Sequence, residues 1–470
     1  MAISPPQDPL IMIIGATGTG KSKLAVDLAT RFNGEIINCD AMQMYKGLPI
    51  ITNKITEEER KGIPHHLLDF IDLKEKPWSV QHFVKQSSRV INEIRARGKL
   101  PIVVGGTIYY TFSLLFNDAI LCPSEAEDQE AQSGRETNAN DQDFPIVSAS
   151  TEEIFAKLSE VDPEMAKRWH PNDRQRIRTS LQIFLRSGRK ASEIYAEQRR
   201  AWQEAETSVM ANGSSSTLHL GTTERSMSLR FPSLLLWLEA EDAVLKQRLN
   251  DRVDVMIARG LCDEVVQMAS LEEGLRTEGE VVDSSSGIWG SIGYKEMKRW
   301  LEAQEVPQGP AANIVALQQE GIEAIKASTR RYAKRQNRFV RIRLANALKT
   351  AGRPDLLFLL DCTDLDRWSS AVSEPAETLV KAFLRGDELP EAKTLSTMAE
   401  TTLSQIEEDA AVVDREARNC ELCNKTLMTE KEWNRHLASR GHKKLVASQR
   451  RRIPQPNNES RRIQLPTPPG

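Results

Sequence analysis

Cysteine, aromatic residues and long apolar runs are all scarce in this sequence. Its 470 residues contain 6 cysteines, and those at positions 420 and 423 form the one closely spaced pair. Such thinly spread thiols exclude a disulfide-stapled secreted fold and are typical of a reducing compartment. No stretch approaches the ~18 to 20 apolar residues of a membrane span, and the N-terminal segment lacks the apolar core of a secretory signal and the arginines of a transit peptide. We therefore expect a soluble cytoplasmic protein without membrane contact, and leave mitochondrial and nuclear copies open.

An excess of either charge is also absent. The 63 Lys and Arg residues nearly balance the 66 Asp and Glu residues, which leaves a formal net charge of -3. Total charge therefore neither indicates nor excludes a nucleic-acid partner, and the local distribution of charge has to be considered instead. The length is sufficient for a large core and for about two or three structural units.

A glycine-rich loop is the strongest local motif. The sequence GATGTGKS at residues 15–22 follows the apolar run Leu10–Ile14 and precedes a segment with Leu24 and Leu28 on one helical face, so strand, loop and helix follow in order. Backbone N–H groups in such a loop, with the positive end of the helix, hold a chain of phosphates. Lys21 adds a positive charge, and the Ser22 hydroxyl is a candidate Mg²⁺ ligand. The predicted phosphate-binding residues are Gly15, Thr17, Gly18, Thr19, Gly20, Lys21 and Ser22.

The loop does not identify the molecule that carries the phosphates. A kinase, a nucleoside triphosphatase and a transferase that releases diphosphate all remain open. After the buried-strand candidate Leu234–Leu238, a predicted helix carries Arg248 and Arg252 one turn apart. Two guanidinium groups on one face can clasp a diphosphate, or they can pair with acids of the same helix.

Two more predicted strands end in polar residues. The strand Glu35–Asn38 is followed by Asp40, and the strand Ile102–Val104 is followed by a Gly-Gly-Thr turn that ends at Thr107. Ligands of open parallel sheets bind at the carboxyl ends of strands, so Asp40 and this turn are candidates for the reaction site. An Asx turn or helix cap at Asp40, and a bare strand-to-helix turn at Thr107, are the structural alternatives. A further strand is predicted within Leu356–Asp364.

Two segments combine helical spacing with basic side chains. Residues 150–199 show helical spacing of apolar residues and a basic surface, with Ser150 or Thr151 as the expected cap of the first helix. The run 326–343 repeats basic residues every three or four positions with almost no acids. The pattern of this second run favours contact with phosphates. The repeating residues are Lys326, Arg330, Lys334, Arg338 and Arg341. For residues 150–199, a solvated charged face is the alternative to a functional basic surface.

The last motif has the spacing of a zinc finger. Cys420 and Cys423 are separated by two residues, His436 and His442 by five, and the two pairs by 12. Two thiolates from a tight turn and two imidazoles from a helix satisfy the tetrahedral coordination of Zn²⁺. The sequence therefore predicts a small domain that is folded around a structural zinc ion.

Together these patterns predict an α/β fold with a P-loop NTPase-like parallel sheet core, a helical insertion domain and a small C-terminal zinc finger. The core spans residues 10–121 and 231–370, with a basic helix at 323–343. The insertion spans 122–230 and contains solvated polar segments at 123–150 and 208–228. The remaining predictions are an acidic linker at 371–415, the finger at 416–446 and a disordered basic, proline-rich tail at 447–470.

Taken in order, the motifs resemble those of eukaryotic tRNA dimethylallyltransferases, also called tRNA isopentenyltransferases, in which a finger of this spacing follows the enzyme core. The matching segments are GATGTGKS, CDAMQMYKGLPIITNK, IPHHLLD, WSVQHF, PIVVGGT, DPEMAKRWHPNDRQRI, RLNDRVDVMIARGLCDEV, IGYKE and RYAKRQ. The resemblance implies transfer of a dimethylallyl group from dimethylallyl diphosphate to N6 of the adenosine on the 3′ side of the anticodon. It also implies that the P-loop holds the leaving diphosphate, so an ATP-binding function is suggested by the motif alone.

The resemblance also assigns roles to individual residues. Asp40 corresponds to the general base for the N6 proton, and Thr107 to the hydroxyl that positions donor and amine. Lys21, Arg252 and Ser22 with Mg²⁺ correspond to the groups that neutralise the diphosphate. The implied partners are dimethylallyl diphosphate and the anticodon stem-loop of tRNA, Zn²⁺ is the structural metal of the finger, and a monomer is expected. The expected tRNA-binding residues are Asp40, Gln43, Asn172, Gln175, Arg176, Arg330, Lys334 and Arg338.

Two positions depart from the family pattern, and two other classes of function remain open. Thr179 follows Arg178 where the family has arginine, and Ile108 stands where bacterial members have glycine. A P-loop kinase of small metabolites or nucleosides fits the loop but does not explain the finger or the basic helix. A zinc-finger RNA-binding protein with a degenerate enzyme core explains those two features, but the candidate reaction residues Asp40, Thr107, Lys21 and Arg252 are all intact.

Overall fold

The chain consists of two compact units. The computed structural model describes residues 5–75, 77–117, 144–169, 171, 174–193, 228–279, 282, 287–304, 311–411, 418–420, 422–423, 425–427 and 430–452. The core unit comprises Met1–Asn138 and Glu197–Val412, and the second unit comprises Ala139–Ala196 and Val413–Gly470. Within the described residues, no helix has both the length and the apolar composition needed to cross a membrane.

The core unit is built on one sheet of six parallel strands in the order β3-β2-β4-β1-β5-β6. The strands are β1 (Leu10–Gly15), β2 (Gly34–Asn38), β3 (His65–His66), β4 (Leu100–Val104), β5 (Ser233–Glu239) and β6 (Leu357–Asp361). Every residue of β1, β2, β4 and β5 is buried, as expected for a parallel sheet covered by helices on both faces. The predicted parallel core is confirmed. Strand β3 was not predicted, because its two half-buried histidines do not form an apolar run.

Helices cover both faces of the sheet. Along β1, Leu10, Met12 and Ile14 belong to one hydrophobic cluster, and the intervening Ile11 and Ile13 belong to the other. This alternation follows the two-residue period of a strand. Among the described residues, the first eight α-helices are α1 (Lys21–Arg31), α2 (Glu57–Arg60), α3 (Val80–Ala96), α4 (Ile108–Leu115), α5 (Thr151–Val161), α6 (Pro163–Arg168), α7 (Arg174–Ser187) and α8 (Asp242–Ala258). The remaining helices are α9 (Leu261–Thr277), α10 (Lys298–Gln304), α11 (Ala311–Phe339), α12 (Ala345–Thr350), α13 (Glu374–Arg385), α14 (Thr397–Ala411), α15 (Glu430–Ala438) and α16 (Arg440–Arg452).

The basic helix predicted at 323–343 is the C-terminal part of α11. It continues through a π-helical turn, Val340–Leu344, into α12. One face of this segment packs into the core, where Ile325, Ala333 and Val340 are buried. The helix therefore lies on the sheet rather than projecting freely into solvent.

The prediction of a linker at 371–415 is wrong. Helix α13 buries Ala376, Leu379, Val380 and Phe383 in the hydrophobic cluster that also contains Ile11 and Ile13. These four residues have the i, i+3, i+4 spacing of an amphipathic helix, and the one acid between them, Glu377, is partly exposed and lies 3.6 Å from Arg31. The overall acidity of the segment obscured this pattern.

The second unit contains the helices of the insertion and the finger. Ile154, Leu158, Met165, Ile177 and Leu181 form the small core of helices α5 to α7. The predicted cap is confirmed, because the Ser150 hydroxyl accepts a hydrogen bond from the Glu153 N–H at 3.3 Å and the Glu153 carboxylate accepts one from the Ser150 N–H at 2.9 Å. The polar segments at 123–143 and 208–227 lie outside the described residues.

In the finger, β7 (Arg418–Cys420) and β8 (Lys425–Leu427) form an antiparallel hairpin that is followed by α15 and α16. The tail was predicted to be disordered from residue 447, but α16 extends to Arg452. The run of Lys, Arg, Gln and Ala before Arg452 consists largely of good helix formers, which explains the difference. Residues 453–470 lie outside the described part of the chain.

Candidate functional site

The P-loop connects the interior strand β1 to helix α1. Gly15, Gly18 and Gly20 have φ angles of +143°, +83° and +86°, which side chains rarely tolerate. The loop is held internally, because the Thr19 hydroxyl and the Lys21 ammonium donate to the Ala16 carbonyl at 2.9 and 2.7 Å. Burial lowers the pKa of Lys21 to about 8, although Asp40 nearby opposes this shift. An anion in the loop would favour the charged form of Lys21.

Asp40 and Thr107 lie together at the ends of β2 and β4. The Thr107 hydroxyl oxygen accepts a hydrogen bond from the Ala41 N–H at 2.9 Å, and the Thr107 N–H donates to the Cys39 carbonyl at 3.2 Å. The Asp40 carboxylate accepts from the Met42 N–H at 3.1 Å. Burial raises the pKa of Asp40, while the Met42 N–H and the charge of Lys21 oppose the increase. A partly buried carboxylate with a raised pKa is a stronger base than a free one, which suits it to accept a proton.

Arg252 reaches the P-loop from helix α8. Its Nη1 donates to the Thr17 hydroxyl and its Nε donates to Asn53 Oδ1, both at 2.9 Å. Asn53 is in turn fixed by Gln43, whose Nε2 donates to the Asn53 carbonyl at 3.0 Å. The side chains of four predicted site residues therefore lie together at the carboxyl ends of the strands: Lys21, Asp40, Thr107 and Arg252.

The prediction that Arg248 and Arg252 clasp a diphosphate together has to be corrected for Arg248. Arg248 donates to the Cys362 carbonyl at 2.7 Å and to the Thr363 carbonyl, so its guanidinium holds the loop after β6. The two arginines share a helix face as expected from their spacing, but each meets a different neighbouring loop. Helical spacing alone does not show which loop lies against each side chain.

Two residues of this site were missed from the sequence. Gln336 of α11 is 2% exposed; its Oε1 accepts from the Thr17 N–H at 2.8 Å, and its Nε2 donates to the Gly106 carbonyl at 2.8 Å. Tyr332, one turn earlier, donates to the same Gly106 carbonyl at 3.4 Å, and burial raises its pKa. The sequence signal for Gln336 is a glutamine on the apolar face of a helix. The many positive charges of the segment instead favoured an interpretation based on its opposite, basic face.

The predicted tRNA-binding residues of α11 differ in their exposure and in their partners. Lys334 and Arg338 are exposed on α11, whereas Arg330 donates to Asn250 Oδ1 of α8. The run 326–343 itself contains almost no acids, but an acid of a neighbouring helix compensates Lys326, which pairs with Asp254 of α8 at 2.7 Å. Asn172 and the side chains of Gln175 and Arg176 lie outside the described residues.

The four finger residues form one metal-binding cluster. Ligand atoms of Cys420, Cys423, His436 and His442 all lie within 4.8 Å of one another. The Cys423 Sγ lies 3.3 Å from His442 Nδ1. Two sulfur and two nitrogen donors at this spacing fit tetrahedral Zn²⁺, so the predicted zinc site is confirmed. His436 belongs to α15 and His442 to α16, rather than both to one uninterrupted helix.

The fold and the site define a P-loop protein with a C-terminal C2H2 finger. The profile of the family described as IPP transferase matches residues 43–343, and that described as zinc-finger of C2H2 type matches residues 418–442. The chain is 35% identical over 458 residues to the tRNA dimethylallyltransferase of Schizosaccharomyces pombe, covering 94% of this chain and 96% of the relative. The corresponding mouse protein is 34% identical over 444 residues, covering 94% and 87%. The chain therefore belongs to the IPP transferase family.

A solved structure supports the same assignment. It is described as a eukaryotic dimethylallyltransferase acting on tRNA, and it is 32% identical in sequence with a TM-score of 0.69. The match covers 95% of this chain and 98% of the solved chain. Both the core unit and the second unit thus have counterparts in the relatives.

Proposed function

We propose that the protein transfers the dimethylallyl group of dimethylallyl diphosphate to N6 of the adenosine on the 3′ side of the tRNA anticodon. The products are N6-isopentenyladenosine in tRNA and diphosphate. The observation that carries the proposal is the arrangement of the P-loop beside the partly buried Asp40 carboxylate, with Thr107 at the neighbouring strand end. Family membership supports the identity of the donor and of the nucleic-acid acceptor.

The P-loop side of the site acts on the leaving group. An allylic diphosphate leaves as a highly charged anion, so preorganised N–H groups and cations at the loop lower the barrier. Lys21 and Arg252 are placed to supply this charge, and both lie within the field of Asp40. Their positive charges therefore act on the diphosphate anion that forms as the bond between the allylic carbon and the diphosphate oxygen breaks.

The first turn of α1 fits a magnesium ion. The Ser22 side chain is exposed there and has no hydrogen-bond partner among the described residues. Mg²⁺ prefers oxygen ligands and is commonly bound through few protein groups together with phosphate oxygens and water. When bound, the ion would neutralise charge on the departing diphosphate. Ser22 would hold it on the protein side.

The opposite side of the site acts on the adenine amine. Asp40 accepts the proton that leaves N6 as the new carbon–nitrogen bond forms. The Thr107 hydroxyl accepts the Ala41 N–H and also hydrogen-bonds the Tyr332 side chain, so its oxygen is held in a fixed position beside the donor and the amine. Because an adenine in a stacked loop cannot reach a buried donor, the base has to leave its stack. The exposed Lys334 and Arg338, and the finger, would bind tRNA phosphates in this arrangement.

The decisive experiment incubates the protein with tRNA, Mg²⁺ and dimethylallyl diphosphate in the absence of ATP, followed by mass analysis of the nucleosides. We expect N6-isopentenyladenosine from the wild-type protein. Asp40→Asn should lower the single-turnover rate by ~10²- to 10⁴-fold while tRNA binding is retained. The matched control is Asp355→Asn, which changes an exposed carboxylate paired with Arg353 before the start of β6. A parallel incubation with ATP in place of dimethylallyl diphosphate tests the alternative, because phosphoryl transfer there, with no prenyl transfer in the first reaction, would establish a kinase.

A further inference from the structure

The loop after β6 closes one side of the P-loop with an indole ring. Trp368 is 7% exposed, and a Cβ built on Gly20 would lie 2.5 Å from its Cη2 atom. The Lys23 ammonium lies 4.4 Å from the centre of the same ring, within the range of a cation–π contact. Trp368 therefore packs directly on the backbone of the P-loop and on the first turn of α1.

The loop after β6 and its Trp368 ring form a wall beside the P-loop, and hydrogen bonds to several elements hold this wall in place. Arg248 donates to the carbonyls of Cys362 and Thr363, and the Glu241 N–H donates to the Thr363 hydroxyl at 3.0 Å. The Cys362 N–H donates to the Glu239 carbonyl at 2.9 Å. Beyond these bonds, Trp368 begins the helical turn that leads into α13, whose apolar face is buried. The indole is thus part of the packed core.

The order of the strands indicates which end of a bound phosphate chain would face this wall. Asp40 and Thr107 follow β2 and β4 on one side of β1, whereas Trp368 follows β6 on the other side. With Asp40 on the reacting side, as the proposed function has it, the opposite end of a phosphate chain in the loop would point toward Trp368. In a prenyl diphosphate the opposite end is a bare phosphate. In a nucleoside triphosphate that reacts at its terminal phosphate, the opposite end carries a ribose and a base.

We propose that Trp368 determines donor specificity by occupying the space through which the nucleoside of a nucleotide would leave the P-loop. A terminal phosphate fits beside the indole, and a nucleoside does not. The proposal rests on the proposed function, because it takes the Asp40 side as the reacting end. Exclusion of a competing ligand by a steric wall is a common source of specificity. Arg248 supports the wall through the Cys362 and Thr363 carbonyls rather than by contacting phosphate.

The test compares binding of inorganic diphosphate and of ADP, each with Mg²⁺, to the full-length protein by calorimetry. Wild-type protein should bind diphosphate and bind ADP at least about tenfold more weakly. Trp368→Ala should strengthen ADP binding by about tenfold or more and change diphosphate binding by less than about threefold. ADP should then compete with dimethylallyl diphosphate in the transfer assay of the variant only.

Two further variants distinguish a change in ligand selectivity from a loss of the fold. Trp368→Leu fills part of the cavity and should show the same change in selectivity at higher thermal stability than Trp368→Ala. Phe383→Leu removes an aromatic ring from the same hydrophobic cluster without uncovering Gly20, and should leave ADP binding weak. If wild-type protein does not bind diphosphate, the proposed function fails. If diphosphate binds normally and ADP affinity is the same in wild-type and both Trp368 variants, the role of Trp368 is rejected and the proposed function stands.

Discussion

Gln336 and Gly106 are joined by a 2.8 Å hydrogen bond from the side-chain amide to the main-chain carbonyl. The oxygen of the same amide accepts from the Thr17 N–H at 2.8 Å. One buried side chain therefore connects the P-loop to the turn that precedes Thr107, and sets the separation of the two halves of the site. A Cβ on Gly106 would lie 2.3 Å from the Gln336 Nε2, so glycine is required for this approach.

Gln336→Glu should impair the reaction step more than substrate binding. The carboxylate still accepts from Thr17 but cannot donate to the Gly106 carbonyl, and a buried charge would face that oxygen. Because small displacements of reacting groups are costly, we expect kcat to fall by ~10- to 100-fold with KM for tRNA nearly unchanged. Single-turnover and steady-state kinetics measure the two effects separately.

The control for Gln336 is another amide on the same helix. Gln318 donates to the Cys262 sulfur at 3.3 Å, and Gln318→Leu should retain the wild-type kcat. Melting temperatures of both variants show whether either substitution affects the fold. A Gln336→Glu protein with wild-type kcat would rule out the positioning role.

Glu239 should make the protein less stable as the pH rises. Burial raises the pKa of this carboxyl from 4.5 to about 7, although Arg341 opposes the shift. The folded state therefore binds a proton that the unfolded state has lost, so stability falls between about pH 4.5 and pH 7, by up to ~1.4 kcal/mol per pH unit. Glu239→Gln resembles the protonated acid and should flatten this dependence. Denaturant unfolding at several pH values measures the change.

Glu35 provides a control of the opposite sign. Burial alone would raise its pKa, but bonds from Arg97, His66 and Lys99 lower it to about 2 from 4.5. Its stabilising contribution is therefore present above about pH 4.5 and lost as the pH falls toward 2. Glu35→Gln should thus weaken the protein near neutral pH and have little effect in acid. Identical pH profiles for the two variants would contradict both assignments.

The sequence predicted the sheet and the residues at the strand ends, because both follow from local patterns. Apolar runs located β1, β2, β4, β5 and β6, and the offsets of the P-loop motif identified Lys21. The contacts of Arg248 and Gln336 could not be predicted, because they depend on which loop or carbonyl lies against a helix in three dimensions. The helix α13 was missed for another reason: its apolar positions are regularly spaced, but overall acidity was given more weight than spacing.

Removal of zinc should weaken tRNA binding without abolishing the reaction. The four ligands belong to the second unit, whereas Asp40, Thr107 and the P-loop belong to the core unit. Cys423→Ser should eliminate bound zinc, as measured by elemental analysis, and raise KM for tRNA while kcat at saturating tRNA is largely retained. Cys262→Ser, which changes a partly buried thiol outside the cluster, should keep the metal. A loss of kcat equal to that of Asp40→Asn would contradict a binding role for the finger.

The exposed basic face of α11 should contribute to affinity through phosphates. Lys334 and Arg338 are exposed one turn apart, so Lys334→Gln combined with Arg338→Gln removes two charges without disturbing the buried face. Each lost phosphate contact reduces the number of counterions released, so the slope of log affinity against log salt should become shallower by about 1.5 units. Lys326→Gln is the matched control, because this lysine is already paired with Glu323 of its own helix and with Asp254 of α8. Binding titrations at several salt concentrations measure both variants, and an unchanged slope in the double variant would place the tRNA elsewhere.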